Sequence, residues 1–181
     1  MSSQAQTTEA AQVLKTHVRR VGESMDVWGA IQDGASLRIC IQALAATGRE
    51  LRVTRVVAIE ARGFVLGGAV AVELGVGLIT VRKSGNLLPE GKIHAMTAPD
   101  WRGRSHQLWL RTTDVAEGDR VLLVDDWIET GSQAAAVEQL IRTAGGELVG
   151  ICVLVDQLTD DATRSILAPI SAILTTDDLA P

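Results

Sequence analysis

The segment from residue 120 to residue 132 constrains this chain more than any other. Val121-Leu122-Leu123-Val124 runs directly into the paired acids Asp125 and Asp126, and Trp127-Ile128-Glu129-Thr130-Gly131-Ser132 then opens into a helical pattern. Successive side chains of a strand point to opposite faces, so four apolar residues in a row need cover on both sides. A one-sided antiparallel sheet is excluded here, and a parallel sheet between layers of helices is what the run asks for.

The same signal repeats along the chain. Short apolar runs at Arg55–Ile59, Gly77–Val81, 148–155 and 170–174 read as buried strands, and Gln107–Arg111 reads as a strand on the far side of the long loop. Helical spacing predicts helices over 8–21, with Gly22 as stop, and over 36–46, with Asp33 or Ser36 as cap and Gly48 as terminator. Helices are also predicted over 63–74 and 132–144, the latter stopped by Gly145-Gly146, with a short helical turn over 160–167. Alternating strands and helices give an α/β fold: a doubly wound, mainly parallel sheet flanked by helices, with right-handed crossovers. At 181 residues this is one domain, 1–181. Residues 1–34 form its N-terminal helix and a hood segment. From 82 to 106 periodicity is lost and Gly85, Pro89, Gly91, Pro99 and Gly103 punctuate the chain, which predicts a mobile loop over 84–106 with one hairpin.

Composition removes several function classes. A net charge of −5 excludes binding to nucleic acid through a general basic field. No apolar run approaches the roughly 20 residues of a membrane helix. The polar N-terminus lacks the basic start and apolar stretch of a secretory signal, so a cytoplasmic protein is expected. Cys40 and Cys152 lie in apolar segments at no metal-ligand spacing and are read as reduced core residues. Four Trp, one Phe and no Tyr imply an aliphatic core. Trp28, Trp101, Trp109 and Trp127 all fall outside the strands assigned as buried.

In doubly wound sheets ligands bind beyond the carboxyl ends of the strands. Backbone N–H groups at 129–133, the Thr130 and Ser132 hydroxyls and the positive end of the following helix make a cradle for one phosphate. Asp125 and Asp126, side by side, call for hydroxyls or a cation, and ribose hydroxyls with Mg2+ meet that need.

Residues 121–131 resemble the signature of type I phosphoribosyltransferases. Glu60-Ala61-Arg62-Gly63-Phe64, Gly67-Gly68, Leu74-Gly75-Val76-Gly77, Val81-Arg82-Lys83-Ser84-Gly85, residues 154–159 and Leu167-Ala168-Pro169 resemble adenine phosphoribosyltransferases in the same order. The resemblance implies transfer of the 5-phosphoribosyl group from 5-phosphoribosyl-1-pyrophosphate (PRPP) to a ring nitrogen of a purine or purine-like base, adenine by default, with release of pyrophosphate. It implies Mg2+, a homodimer, and neither nucleic acid nor membrane as partner. Asp125 and Asp126 would bind the ribose hydroxyls; Thr130, Gly131 and Ser132, with Gln133, would grip the 5-phosphate. Arg62, Arg82 and Lys83 would reach the pyrophosphate, the last two commonly across the dimer interface. Asp125 would also oppose positive charge on the sugar, and Arg62 negative charge on the leaving group.

The departures fall near the base. Adenine enzymes usually read Ala-Thr-Gly-Gly-Thr where this chain has Glu129-Thr130-Gly131-Ser132-Gln133. Glu129 matches an Asp of the hypoxanthine-guanine branch that assists proton transfer; equally, it is a carboxylate favoured at a helix N-terminus. No Glu matches the one in the long loop of adenine enzymes, leaving Asp100 or His106 as substitutes, and Asn86 stands where a Lys is expected. Asp26-Val27-Trp28 is the nearest equivalent of the base-binding segment, so Trp28 and Trp127 are the residues expected to stack on the base. Two alternatives remain: a PRPP-binding sensor without catalysis, and a phosphoribosyltransferase for a 6-oxopurine or a specialised acceptor.

Overall fold

The computed structural model describes every residue except 1, 2, 22, 23, 86, 87, 89, 101, 180 and 181. The expectations placed on Gly22, Asn86 and Trp101 therefore lie outside the described residues. Five parallel strands form the central sheet: β3 (Arg55–Ile59), β4 (Gly77–Val81), β7 (Arg120–Ile128), β8 (Glu147–Asp156) and β9 (Ile170–Thr175). Their order is β4-β3-β7-β8-β9, so the chain first winds outward from β3 to β4 and then crosses back to β7. The direction of winding reverses between β3 and β7, and a crevice opens beyond their carboxyl ends.

Alternation along the strands feeds two separate cores. Val57, Ile59, Val121, Leu123, Ile151 and Val153 pack on the side of α5 (Ser132–Thr143). Val56, Leu122, Val124, Cys152 and Leu154 pack on the side of α1 (Ser3–His17), α3 (Gly34–Leu51) and α4 (Arg62–Leu74). Both free cysteines are buried in that second core, and burial pushes each thiol up to about 11, which leaves them protonated packing groups.

Several boundaries differ from the sequence reading. α1 ends at His17, because 19–21 become β1 (Arg19–Val21), paired antiparallel with β2 (Ser24–Asp26). A short α2 (Trp28–Gln32) follows. Asp33 caps α3 as expected, accepting from the Ser36 N–H at 2.8 Å, but Gly48 does not end the helix. A Cβ at Gly48 would stand 2.6 Å from Leu74 Cδ1, so this glycine permits close packing of α3 on α4. Within the long loop, β5 (Lys92–Met96) pairs antiparallel with β6 (Gln107–Arg111), which realises the expected hairpin and covers the α5 face. β7 runs on to Ile128, so Trp127 lies in a strand of the sheet rather than in a loop beyond it. α6 (Asp161–Ile166) precedes β9. Among the described residues, no helix is long and apolar enough to cross a membrane.

Candidate active site

A cavity of about 880 Å³ occupies the crevice beyond β3 and β7. Its wall includes Glu60, Ala61 and Arg62 after β3; Lys83 after β4; Asp125 to Ser132, with Gln133, from the end of β7 into α5; Asp100 from the turn between β5 and β6; and Gln157, Thr176 and Leu179 beyond β8 and β9. Two expected site residues are not part of the lining described. Arg82 donates to Glu60 Oε1 at 3.2 Å, while the other Glu60 oxygen accepts from the Lys83 N–H at 3.0 Å. Arg82 thus ties the basic segment to the loop that carries Arg62. Trp28 starts α2, its N–H bonded to Asp26 Oδ1 at 2.8 Å, and α2 packs on α1 and α3. The sequence could not place Trp28, because its position depends on how the N-terminal segment docks.

The acid pair sits on a tight junction. Gly63, in the first turn of α4, has no side chain where a Cβ would lie 3.0 Å from Asp125 Oδ1, and this lets the helix close on the strand end. Asp125 Oδ1 accepts from the Asp126 N–H at 2.9 Å. Burial, and then the neighbouring Asp126 carboxylate, push the Asp125 carboxyl well above the ordinary carboxylate range. Asp126 is buried and forms an ion pair with Arg62 at 3.0 Å, whose own side chain is 51% exposed.

The loop expected to cradle a phosphate is formed by sequence as well as by fold. Gly131 has φ +70, and a Cβ there would come within 2.8 Å of Thr163 Cγ2 and 3.0 Å of Leu167 Cδ1. Only glycine combines that backbone with that contact. Thr130 Oγ1 and Ser132 Oγ lie 3.0 Å apart, and the Ser132 N–H donates to Thr130 Oγ1 at 3.4 Å. The first turn of α5 carries no acidic residue and its N-cap Gly131 supplies no side-chain cap, so the positive end of the helix is uncompensated there.

Residues after β8 support this loop from behind. Asp156 accepts from both Arg164 terminal nitrogens, at 2.9 and 3.0 Å, and from the Leu158 N–H at 2.9 Å. That holds Leu158, Thr163 and Leu167 against Gly131. Gln157 accepts from Trp127 Nε1 at 3.1 Å and so fixes the one indole among the described residues that lines the cavity. The sequence reading missed Gln157 and Thr176, although each follows an apolar strand at its carboxyl end. Trp109 packs away from the cavity: its ring stacks near His94 at 4.7 Å, lies under Lys92 Nζ at 5.5 Å, and leaves no room for a Cβ at Gly85.

Glu129 lines the same cavity. Burial first, then the charge of Asp100, raise its carboxyl above the usual range, while Arg102 opposes the rise. Asp100 is held below the usual range, chiefly by the Arg104 N–H, with further help from the Arg102 N–H and His106. Among the described residues, no group of three or more His, Cys, Asp or Glu could cage a metal ion. Asp125, Asp126 and Glu129 line the same cavity as Lys83 and Arg62, the last in its ion pair with Asp126.

Comparison with known proteins agrees with this geometry. Residues 27–168 match the phosphoribosyl transferase domain family. An adenine phosphoribosyltransferase of Nitrosospira multiformis is 40% identical over 149 residues, covering 78% of this chain and 79% of that protein. The crystal structure of adenine phosphoribosyltransferase from Rhodothermus marinus superposes with a TM-score of 0.81 at 33% identity, covering 92% of this chain and 98% of that one. The Saccharomyces cerevisiae enzyme, solved with an imino-altritol bisphosphate and adenine, gives a TM-score of 0.80 at 27% identity over 92% of this chain and 99% of its own.

Proposed function

Because this chain belongs to the phosphoribosyl transferase family, we propose that it transfers the 5-phosphoribosyl group of PRPP to adenine, releasing pyrophosphate and forming the nucleoside monophosphate. The observation that carries the reading is the convergence, in one crevice, of an acid pair, an anion-binding helix end and two cations. A sugar bearing phosphates at both ends presents the matching groups.

The 5-phosphate sits on Thr130, Gly131, Ser132 and Gln133 at the N-terminus of α5, where N–H groups and the helix dipole favour it. Asp125 and Asp126 accept from the ribose hydroxyls. As the bond to pyrophosphate breaks, positive charge grows on the sugar ring beside Asp125, and negative charge grows on the leaving group beside Arg62 and Lys83. Arg82 holds Glu60 and, through it, the Lys83 backbone. Mg2+ brought in with PRPP beside Asp125 and Asp126 would offset part of the leaving group's negative charge. Trp127 offers the base an apolar face, with Gln157 fixing its tilt. Trp28 joins the base only through movement of the hood segment. The 84–106 segment, which brings Asp100 to the cavity, shields the activated sugar from water.

The domain, residues 1–181, works in the cytoplasm as a homodimer. Support for the dimer comes from exposed apolar side chains along one edge: Val65 and Val72 on α4 and Leu78 on the edge strand β4. The functional test is to mix the protein with PRPP, Mg2+ and a panel of bases, reading nucleotide by mass spectrometry and pyrophosphate by a coupled assay. Adenine is expected to give both products. Tight Mg-dependent PRPP binding with no turnover on any base would overturn catalysis and leave a sensor.

A further inference from the structure

The cavity is sorted by charge along the sheet. Arg62 and Lys83 reach it after β3 and β4, and the acid pair stands on central β7. Among the described residues, those that line it beyond β8 and β9 are uncharged: Gln157, Thr176 and Leu179. Strand register sets this last group in order. Trp127, Val155 and Leu174 are partners across β7, β8 and β9, and one residue further on Ile128, Asp156 and Thr175 are partners in turn. Gln157 and Thr176 are therefore the next residues on β8 and β9, at one level, just past the row that carries Trp127. The Gln157 N–H donates to the Ile128 carbonyl at 2.8 Å and the Thr176 hydroxyl to the Asp156 carbonyl at 3.4 Å, which keeps both in line with the sheet.

From Thr176 to Leu179 the chain makes a 3-10 helical turn, and Asp178 pins it. Asp178 Oδ2 accepts from the Thr175 N–H at 3.0 Å and from the Thr175 hydroxyl at 2.9 Å, while Oδ1 accepts from Lys15 Nζ on α1 at 2.8 Å. Held in this way, the turn places Leu179 against the same core on which Trp127 packs, and Leu179 lines the cavity there. Gln157 and Thr176 also border a neighbouring cavity of about 510 Å³, so they stand between the two.

We propose that the Thr176–Leu179 turn is the specificity wall of the acceptor subsite: Leu179 supplies an apolar contact to the base, and Thr176 with Gln157 closes the subsite against the neighbouring cavity. The inference rests on the phosphoribosyl-transfer reading and deepens it. With the diphosphate drawn to Arg62 and Lys83, the displacing nitrogen reaches the anomeric carbon from the side away from the leaving group, which is the uncharged side beyond β8 and β9. A purine joined through its five-membered ring points its six-membered ring and exocyclic amine away from the sugar, toward this wall. A flat base is held there by apolar contact, and a bulky group on the exocyclic nitrogen meets the partition.

The test compares wild type with Leu179→Ala, Leu179→Met and Thr176→Gly, using adenine and N6-benzyladenine as acceptors. Leu179→Ala should raise KM for adenine by about tenfold, the order of a lost contact in an apolar pocket, with kcat and the KM for PRPP little changed. Leu179→Met, which keeps the apolar contact, should hold the adenine KM near that of wild type. Thr176→Gly opens the partition and should shift the ratio of kcat/KM toward N6-benzyladenine by about tenfold. An adenine KM unchanged in Leu179→Ala, or a base preference unchanged in Thr176→Gly, would overturn the assignment. Absence of wild-type turnover on every base would instead count against the phosphoribosyl-transfer reading. Adenine binding, read by saturation-transfer NMR on wild type and Leu179→Ala, then decides the wall on its own: it stands if the variant loses binding and falls if the two bind alike or neither binds.

Discussion

Asp125 shows how much one carboxyl can hold. It is half-buried, its neighbour is another acid, and Gly63 brings a helix end against it. Its carboxyl is raised, so between the ordinary carboxylate pKa and its own the folded protein binds a proton that the unfolded chain has released. Stability therefore falls as pH rises through that window, by at most ~1.4 kcal/mol per pH unit for one group. The thermal midpoint is expected to be lower at pH 8 than at pH 5.5, and Asp125→Asn to flatten that difference; an unchanged slope in the variant would mean that another group sets it. Asp178 works in the opposite sense. Lys15 and the Thr175 backbone hold its carboxyl down to about 2, so it loses its contribution only in strong acid, outside the window in which Asp125 acts.

Among the elements, α5 is the one whose own stability and whose function disagree. A helix gains from acidic residues in its first turn, and α5 has none, which suits the phosphate proposed to bind at that end. Gln133→Glu should raise the stability of α5 by a few tenths of a kcal/mol, about the lower end of a helix-dipole interaction, while weakening PRPP binding at least about tenfold. Calorimetric affinity alongside thermal unfolding would read both. This helix and the sheet strands were legible in the sequence because each is buried and strongly patterned. β1, β2 and α2 were not: at three to five residues they carry too little pattern, and packing on α1 and α3 defines them. Gly48 misled for a related reason, since a glycine required by close packing reads in sequence as a helix stop. At the site, the acid pair and the Thr130-Gly131-Ser132 loop were legible as contiguous motifs, and the structure brings both to the wall of one cavity. Gln157 and Thr176 were not, because only the sheet order brings the ends of β8 and β9 to the end of β7.

At the scale of the whole molecule, the proposed homodimer makes a prediction that separates assembly from folding. Val72 is 83% exposed on α4, so Val72→Glu should leave the monomer fold intact, Glu being a good helix former. Sedimentation velocity should show a dimer for wild type and a monomer for Val72→Glu, with unchanged far-ultraviolet circular dichroism; a dimer in both would place the interface elsewhere. Central β7 ties the rest together. It lies between β3 and β8, sends Val121 and Leu123 into one core and Leu122 and Val124 into the other, and ends in the acids that would hold the sugar. Neither layer of helices can loosen without moving the strand that carries the site, so the states able to bind are the fully folded ones. A ligand held there acts as a clamp on the entire chain. At a hundred times its dissociation constant it would add about 2.7 kcal/mol to the unfolding of both layers at once, which makes the supply of substrate a determinant of how long the protein survives.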